Sequence, residues 1–223
     1  MENEFSGKLS YRQLGDELVD NVDRFATILR IRSSAPATRK DTAKVKPPEW
    51  IPAAMRDYGA HLNGLLLSWE SKGSVKVTGH IDLLPLDRIY QSWQGIVYTG
   101  EGAFEDPRLP EFRPVDRRGD ETAVGLLHNA QASPALYLLE FGETPYPLGL
   151  DIRGYFTLLT HTLGLSYWTN MVAELARQPA PVAEDYQPQG PEARRFAAEL
   201  PYLAPALDLP TFIRYYNQVR LPQ

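Results

Sequence analysis

The pattern of apolar residues predicts an α+β protein, with a central antiparallel sheet of four to six strands flanked by helices. Three observations lead there. Apolar residues recur every three or four positions near the N-terminus and again after Asp151, the period of helices with one buried face. Between those regions lie short alternating or continuous apolar segments bounded by Gly, Asn, Ser and Pro, the signature of strands. The strand candidates are neighbours joined by turns too short for a helical crossover. Direct antiparallel pairing is therefore expected, and a Rossmann fold or TIM barrel is disfavoured.

Taken in order, Leu14, Leu18, Val22, Phe25 and Leu29 place one apolar stripe on a helix from Leu9 to Arg32. Ser33 to Pro36, followed by Arg39, Lys40, Lys44 and Lys46 before Pro47-Pro48, has no periodicity and reads as an exposed basic connector. Pro48 and Pro52 suit first helical turns, and Trp50, Ile51, Ala54, Met55, Tyr58 and Leu62 supply an apolar face as far as Asn63-Gly64. Segments Gly64 to Trp69 and Ser74 to Thr78 flank the turn Glu70-Ser-Lys-Gly73 and form a candidate hairpin. A short helical piece follows from Leu86 to Trp93, and Tyr98 to Glu121 reads as a long loop rich in Gly, Pro and charge.

A second hairpin is expected from Ala123 to His128 and Ala135 to Phe141, across Asn129-Ala-Gln-Ala-Ser133. Asp151 can cap a helix whose face is Ile152, Tyr155, Phe156, Leu159 and Leu163, ending near Gly164, with another helix from Tyr167 to Arg177. Two proline-rich stretches, Gln178-Pro-Ala-Pro181 and Gln187-Pro-Gln-Gly-Pro191, precede helical patterns at Glu192 to Leu200 and Thr211 to Val219. Residues 1–177 therefore read as an α+β domain with an N-terminal helix, and 178–223 as a C-terminal helical extension.

The chain has 223 residues, of which 43% are hydrophobic and 23% charged, enough to bury one sizeable core. It has no cysteine, which removes thiolate nucleophiles, disulfides and thiolate metal sites. A net charge of -5 disfavours nucleic acid and anionic membranes as partners and allows a basic protein partner. The N-terminus is acidic where a secretory signal is basic, and no run approaches the roughly 18 apolar residues of a membrane span. A cytoplasmic location is expected.

Chemistry-bearing motifs are sparse. His61, His80, His128 and His161 are scattered without metal-ligand spacing, so no metal site is expected. Gly95 and Gly100-Glu-Gly102 do not complete a dinucleotide fingerprint, and neither a phosphate loop nor a nucleophile elbow occurs. No cofactor and no enzymatic activity are expected. From Trp50 to Trp168 the order of elements, and Phe112-Arg-Pro-Val-Asp116, Ala123-Val-Gly-Leu-Leu127, Leu136-Tyr-Leu-Leu139, Pro147-Leu-Gly-Leu-Asp151, Tyr155-Phe-Thr-Leu-Leu159 and Gly164-Leu-Ser-Tyr-Trp168, resemble the SUKH superfamily. That superfamily includes fungal cell-wall synthesis regulators and many bacterial toxin immunity proteins. The resemblance implies a SUKH-like fold and an immunity protein that neutralises a cognate toxin by occluding it; the alternative it leaves is a regulatory scaffold.

Candidate partner-binding residues are the carboxylates Glu101, Glu105, Asp106, Glu111, Asp116, Asp120 and Glu121, interspersed with Arg108, Arg113, Arg117 and Arg118, together with Trp93 beside the long loop. Some of these charges are expected to pair locally; the segment reads either as a solvated charged loop or as an acidic docking face for a basic toxin. Trp50, Trp69 and Trp168 are read as core or helix-sealing residues.

Overall fold

Among the described residues, seven strands lie side by side in chain order, each antiparallel to its neighbours. The computed structural model describes residues 11–25, 29–36, 48–72, 74–98, 106–119, 121–128, 135–203 and 207–222. The strands are β1 (Leu29–Pro36), β2 (Leu65–Ser71), β3 (Thr78–Leu83), β4 (Phe112–Arg117), β5 (Thr122–Leu127), β6 (Ala135–Glu140) and β7 (Tyr146–Asp151). The helices are α1 (Tyr11–Phe25), α2 (Ala53–His61), α3 (Leu86–Ile89), α4 (Ile152–Thr162), α5 (Trp168–Ala176), α6 (Pro191–Leu203) and α7 (Leu209–Val219). The α+β class and the antiparallel sheet agree with the sequence reading, and β1 brings the strand number to seven.

Four local features differ from the sequence reading. The first helix ends at Phe25, and Leu29–Pro36 pairs with β2 from Leu29 opposite Ser71 to Pro36 opposite Leu65. Leu29-Arg-Ile31-Arg alternates apolar with basic, a period-two pattern that the spacing of Phe25 and Leu29 disguised. The strand pairing with β2 begins at Thr78, not at Ser74: the Ser71 hydroxyl donates to the Val75 carbonyl and accepts the Val77 amide, folding this stretch into a turn. β4 lies inside the expected long loop, with a bulge between Pro114 and Asp116 that breaks the alternation. β7 carries Pro147 and Gly149, which hide a strand from propensity. The expected connector falls largely outside the described residues.

Helix α4 is the centre of the helical layer. It contacts β6 and β7, and α1, α2 and α7 pack against it. Its start is set by Asp151, whose carboxylate accepts the Gly154 amide at 2.8 Å, as the sequence predicts for an N-cap. It stops where Leu163 and Gly164 turn left-handed. Gly164 has no substitute there: its φ is +70°, and a Cβ would fall 2.4 Å from the His80 carbonyl oxygen.

The C-terminal extension completes the same core. Phe196 and Phe212 meet edge to face at 4.9 Å, and both are buried with Ile213 and Tyr216. The Asn217 amide holds Val182 at both its N–H (2.9 Å) and its carbonyl (2.8 Å). Glu174 on α5 accepts the Tyr186 hydroxyl and the Gly190 amide, each at 2.8 Å. Arg220 Nη2 donates to the Ala176 and Gln178 carbonyls, capping the end of α5.

Candidate functional site

β3 and β4 share one paired position, Leu83 with Asp116, and then diverge. The turn between α4 and α5 enters the gap: the His80 amide donates to the Gly164 carbonyl and the Ser166 amide to the Thr78 carbonyl, both at 2.9 Å. Asp116, wholly buried at the mouth of the gap, accepts the Asp82 amide on Oδ1 (2.9 Å) and the Tyr155 hydroxyl on Oδ2 (2.6 Å). Arg118 Nη1 lies 3.5 Å from the same Oδ2. The Arg118 guanidinium also donates to the His80 and Gly164 carbonyls and stands 5.9 Å from the centre of the Trp168 ring. Burial, reinforced by the Asp116 carboxylate, pushes the Tyr155 phenol well above its ordinary value, so it remains a donor. This junction is closed to solvent and locks the helical layer to the middle of the sheet.

These contacts correct two members of the candidate partner-binding set. Asp116 is part of the interior, and Trp93 is 2% exposed with its indole N–H donating to the Ile89 carbonyl at 3.1 Å; neither can touch a partner. Asp106 is engaged by Arg108 through Nε (3.0 Å) and Nη2 (2.7 Å), and these hydrogen bonds pull its carboxyl down to about 2. Glu111 and Glu121 are exposed, but they precede β4 and β5 respectively. Because those strands are antiparallel, the two carboxylates lie at opposite ends of the pair, about 20 Å apart at the rise of extended chain. Glu101, Glu105 and Asp120 lie outside the described residues. Asp116 and Trp93 were misplaced for a plain reason: a run of charge records chemistry, whereas burial is decided by strand position and by distant partners.

The structure instead brings together three rings that the sequence reading kept apart. Trp50 stands in the turn from Pro48 to Ile51, just ahead of α2, and is 57% exposed. Tyr90 closes α3, and His128 follows β5, its amide donating to the Glu111 carbonyl at 2.7 Å. The ring centroids are 5.2 Å (Trp50 to Tyr90), 5.4 Å (Trp50 to His128) and 5.7 Å (Tyr90 to His128), with interplanar angles of 82°, 84° and 83°. Tyr90 Oη and His128 Nδ1 are both shielded from solvent and have no hydrogen-bond partner among the described residues. Burial raises the Tyr90 phenol, and the Arg113 charge opposes that rise. Arg113 itself donates through Nη1 to the Pro110 and Phe112 carbonyls.

Trp50, Trp69 and Trp168 are expected as core or helix-sealing residues; Trp69 and Trp168 are buried, at 2% and 0% exposure, whereas Trp50 is not. The available signal was Pro52, which starts the helix after Trp50 and so takes Trp50 off the helical stripe. Nothing in the sequence pointed to Tyr90 or His128, which reach Trp50 only through tertiary structure. Elsewhere, Ser68 Oγ and His80 Nδ1 meet at 2.8 Å as directly opposed residues of β2 and β3, a cross-strand pair of the kind that stabilises sheets. Among the described residues no His, Asp and Glu cluster is placed to hold a metal ion, and no helix is long and apolar enough to cross a membrane. Comparison with protein-family models, with curated proteins and with solved structures finds no match.

Proposed function

We propose that this chain is a non-catalytic binding protein of the immunity type, acting in the cytoplasm by occupying a cognate bacterial toxin through the face that carries Trp50. The observation that carries this reading is the exposed Trp50 braced by Tyr90 and His128. A large aromatic already held in place loses little side-chain freedom on binding, and such residues dominate interface energetics. The SUKH-like sequence features between Trp50 and Trp168 support the same reading, and the net charge of -5 favours encounter with a basic toxin. Glu111 is exposed, and its backbone carbonyl accepts the His128 amide.

The test is co-purification with the product of the adjacent gene, followed by growth rescue in cells expressing that product. A stable complex with rescue is expected. Trp50→Ala should weaken the complex by about thirtyfold or more, the effect of removing an interface anchor worth about 2 kcal/mol. Stable binding unchanged by Trp50→Ala would reject this face. Absence of both binding and rescue would reject immunity in favour of the regulatory scaffold reading.

A further inference from the structure

We propose that β1 is a docking edge for an extended acidic segment of another protein, which adds to the sheet as a further strand. This partner is separate from the toxin, and the inference does not rest on the Trp50 face. A sheet whose strands follow chain order has two edges, and the two differ here. At the β7 edge, Pro147 has no N–H to offer, and the Gly149 carbonyl accepts the Leu221 amide at 2.7 Å. The Tyr216 hydroxyl donates to the Leu148 carbonyl at 3.2 Å. The C-terminal segment thus blunts that edge against further pairing.

Among the described residues, no strand lies beyond β1, which ends the strand order and pairs with β2. Its eight residues include one proline, Pro36, at the very end. In an antiparallel ladder alternate residues turn their N–H and C=O groups away from the partner, so β1 directs a row of donors and acceptors to its outer side. A bulge between Ile31 and Ser33 separates the paired residues 29–31 from 33–36.

Charge selects the occupant. The chain has a net charge of -5, yet β1 holds Arg30 and Arg32 and no carboxylate. The sequence that follows, as far as Pro47, holds Arg39, Lys40, Lys44 and Lys46 against Asp41 alone. An acidic strand gains from this local reversal of sign. A second copy is disfavoured, because antiparallel β1 strands would bring the arginines of both copies together. Nucleic acid would use the positive charge but not the ladder groups, and the overall charge opposes it.

The experiment uses the full chain and three fluorescein-labelled peptides. One alternates glutamate with valine, the second alternates lysine with valine, and the third is the acidic peptide N-methylated on two adjacent central residues, which blocks both of its edges. Fluorescence anisotropy should show saturable binding of the acidic peptide, at least about tenfold tighter than of either other peptide, because strand addition needs both the charge and the ladder donors. Arg30→Glu combined with Arg32→Glu should weaken the acidic peptide about tenfold and strengthen the lysine peptide, with thermal melting to show that the fold is retained. No saturable binding, equal binding of the N-methylated peptide, or an unchanged preference in the folded variant would overturn the docking edge. Dimerisation of the chain that the variant loses would give the edge to a second copy. An oligothymidylate that binds more tightly and displaces the acidic peptide would give the arginines to nucleic acid. Either result overturns the acidic strand, and none of them bears on Trp50→Ala, which reads the toxin complex.

Discussion

Asp116→Ala removes the carboxylate on which the divergence of β3 and β4 closes. Three contacts go with it: the Asp82 amide at 2.9 Å, the Tyr155 hydroxyl at 2.6 Å and the Arg118 guanidinium at 3.5 Å. Breaking a buried ion pair by deleting one partner costs about 3–5 kcal/mol, and each hydrogen bond to a charged acceptor contributes about 1.5–3 kcal/mol. These figures overlap because one group makes all the contacts, and Arg118 keeps its two carbonyl acceptors. The expected loss is therefore about 4 kcal/mol, a large part of the roughly 5–15 kcal/mol that holds a domain folded. Asp116→Asn should lose about 2–3 kcal/mol: its carbonyl can accept one of the two donors, but its amide confronts the other. Tyr155→Phe alone should lose about 1–2 kcal/mol, and in the Asp116→Ala background almost nothing, giving a coupling of about 1–2 kcal/mol. Urea unfolding, followed by tryptophan fluorescence and far-UV circular dichroism, measures all four corners of this cycle. A loss below about 1 kcal/mol for Asp116→Ala, or additivity within about 0.5 kcal/mol, would refute the junction's role.

Two further predictions concern the helical layer. His161, stacked on Tyr215 with centroids 4.2 Å apart, is pushed down to about 4 by burial. The unfolded chain binds this proton below about pH 6.5 while the fold does not, so stability falls with pH between about 6.5 and 4, by at most roughly 3 kcal/mol, and no further below. His161→Phe keeps an aromatic ring on Tyr215 and should flatten stability against pH across that window; an unchanged slope assigns it to another group. Asn217→Ala strands the Val182 N–H and carbonyl and should cost about 2 kcal/mol in denaturant unfolding. Asn217→Asp should fare little better, because a carboxylate faces the Val182 carbonyl; a change under about 0.5 kcal/mol in both variants would show that the extension is held by its apolar faces alone.

What was legible in the sequence was whatever a short window contains. The period of Leu14 and Leu18, the cap at Asp151, the Gly164 terminus and the pair β5–β6 each depend on residues a few positions apart, and each is found where it was read. The missed strands share a different cause. β4 and β7 contain Pro114, Pro147 and Gly149, residues that weaken any local preference for a strand. Neighbouring strands supply the pairing: β4 is held by β5, and β7 by β6, across bulged registers that no alternation would show. β1 was lost for the opposite reason, since its pattern is locally good but continues the spacing of the helix before it.

The site was less legible than the fold because identical residue types take opposite roles according to distant partners. Asp116 and Glu111 are carboxylates five positions apart; one is sealed in the interior by a tyrosine 39 positions away, and the other stands in solvent. Trp93 can be buried because the carbonyl of Ile89, one turn back, satisfies its indole N–H. Trp50 stands ahead of the helix that its neighbours enter, so its ring packs edge-on against two residues brought from α3 and from the end of β5. The exposed Trp50 surface is what the fold leaves after the core has taken its share. Composition counts the carboxylates and tryptophans correctly, but only the long-range contacts decide which of them remain available to a partner.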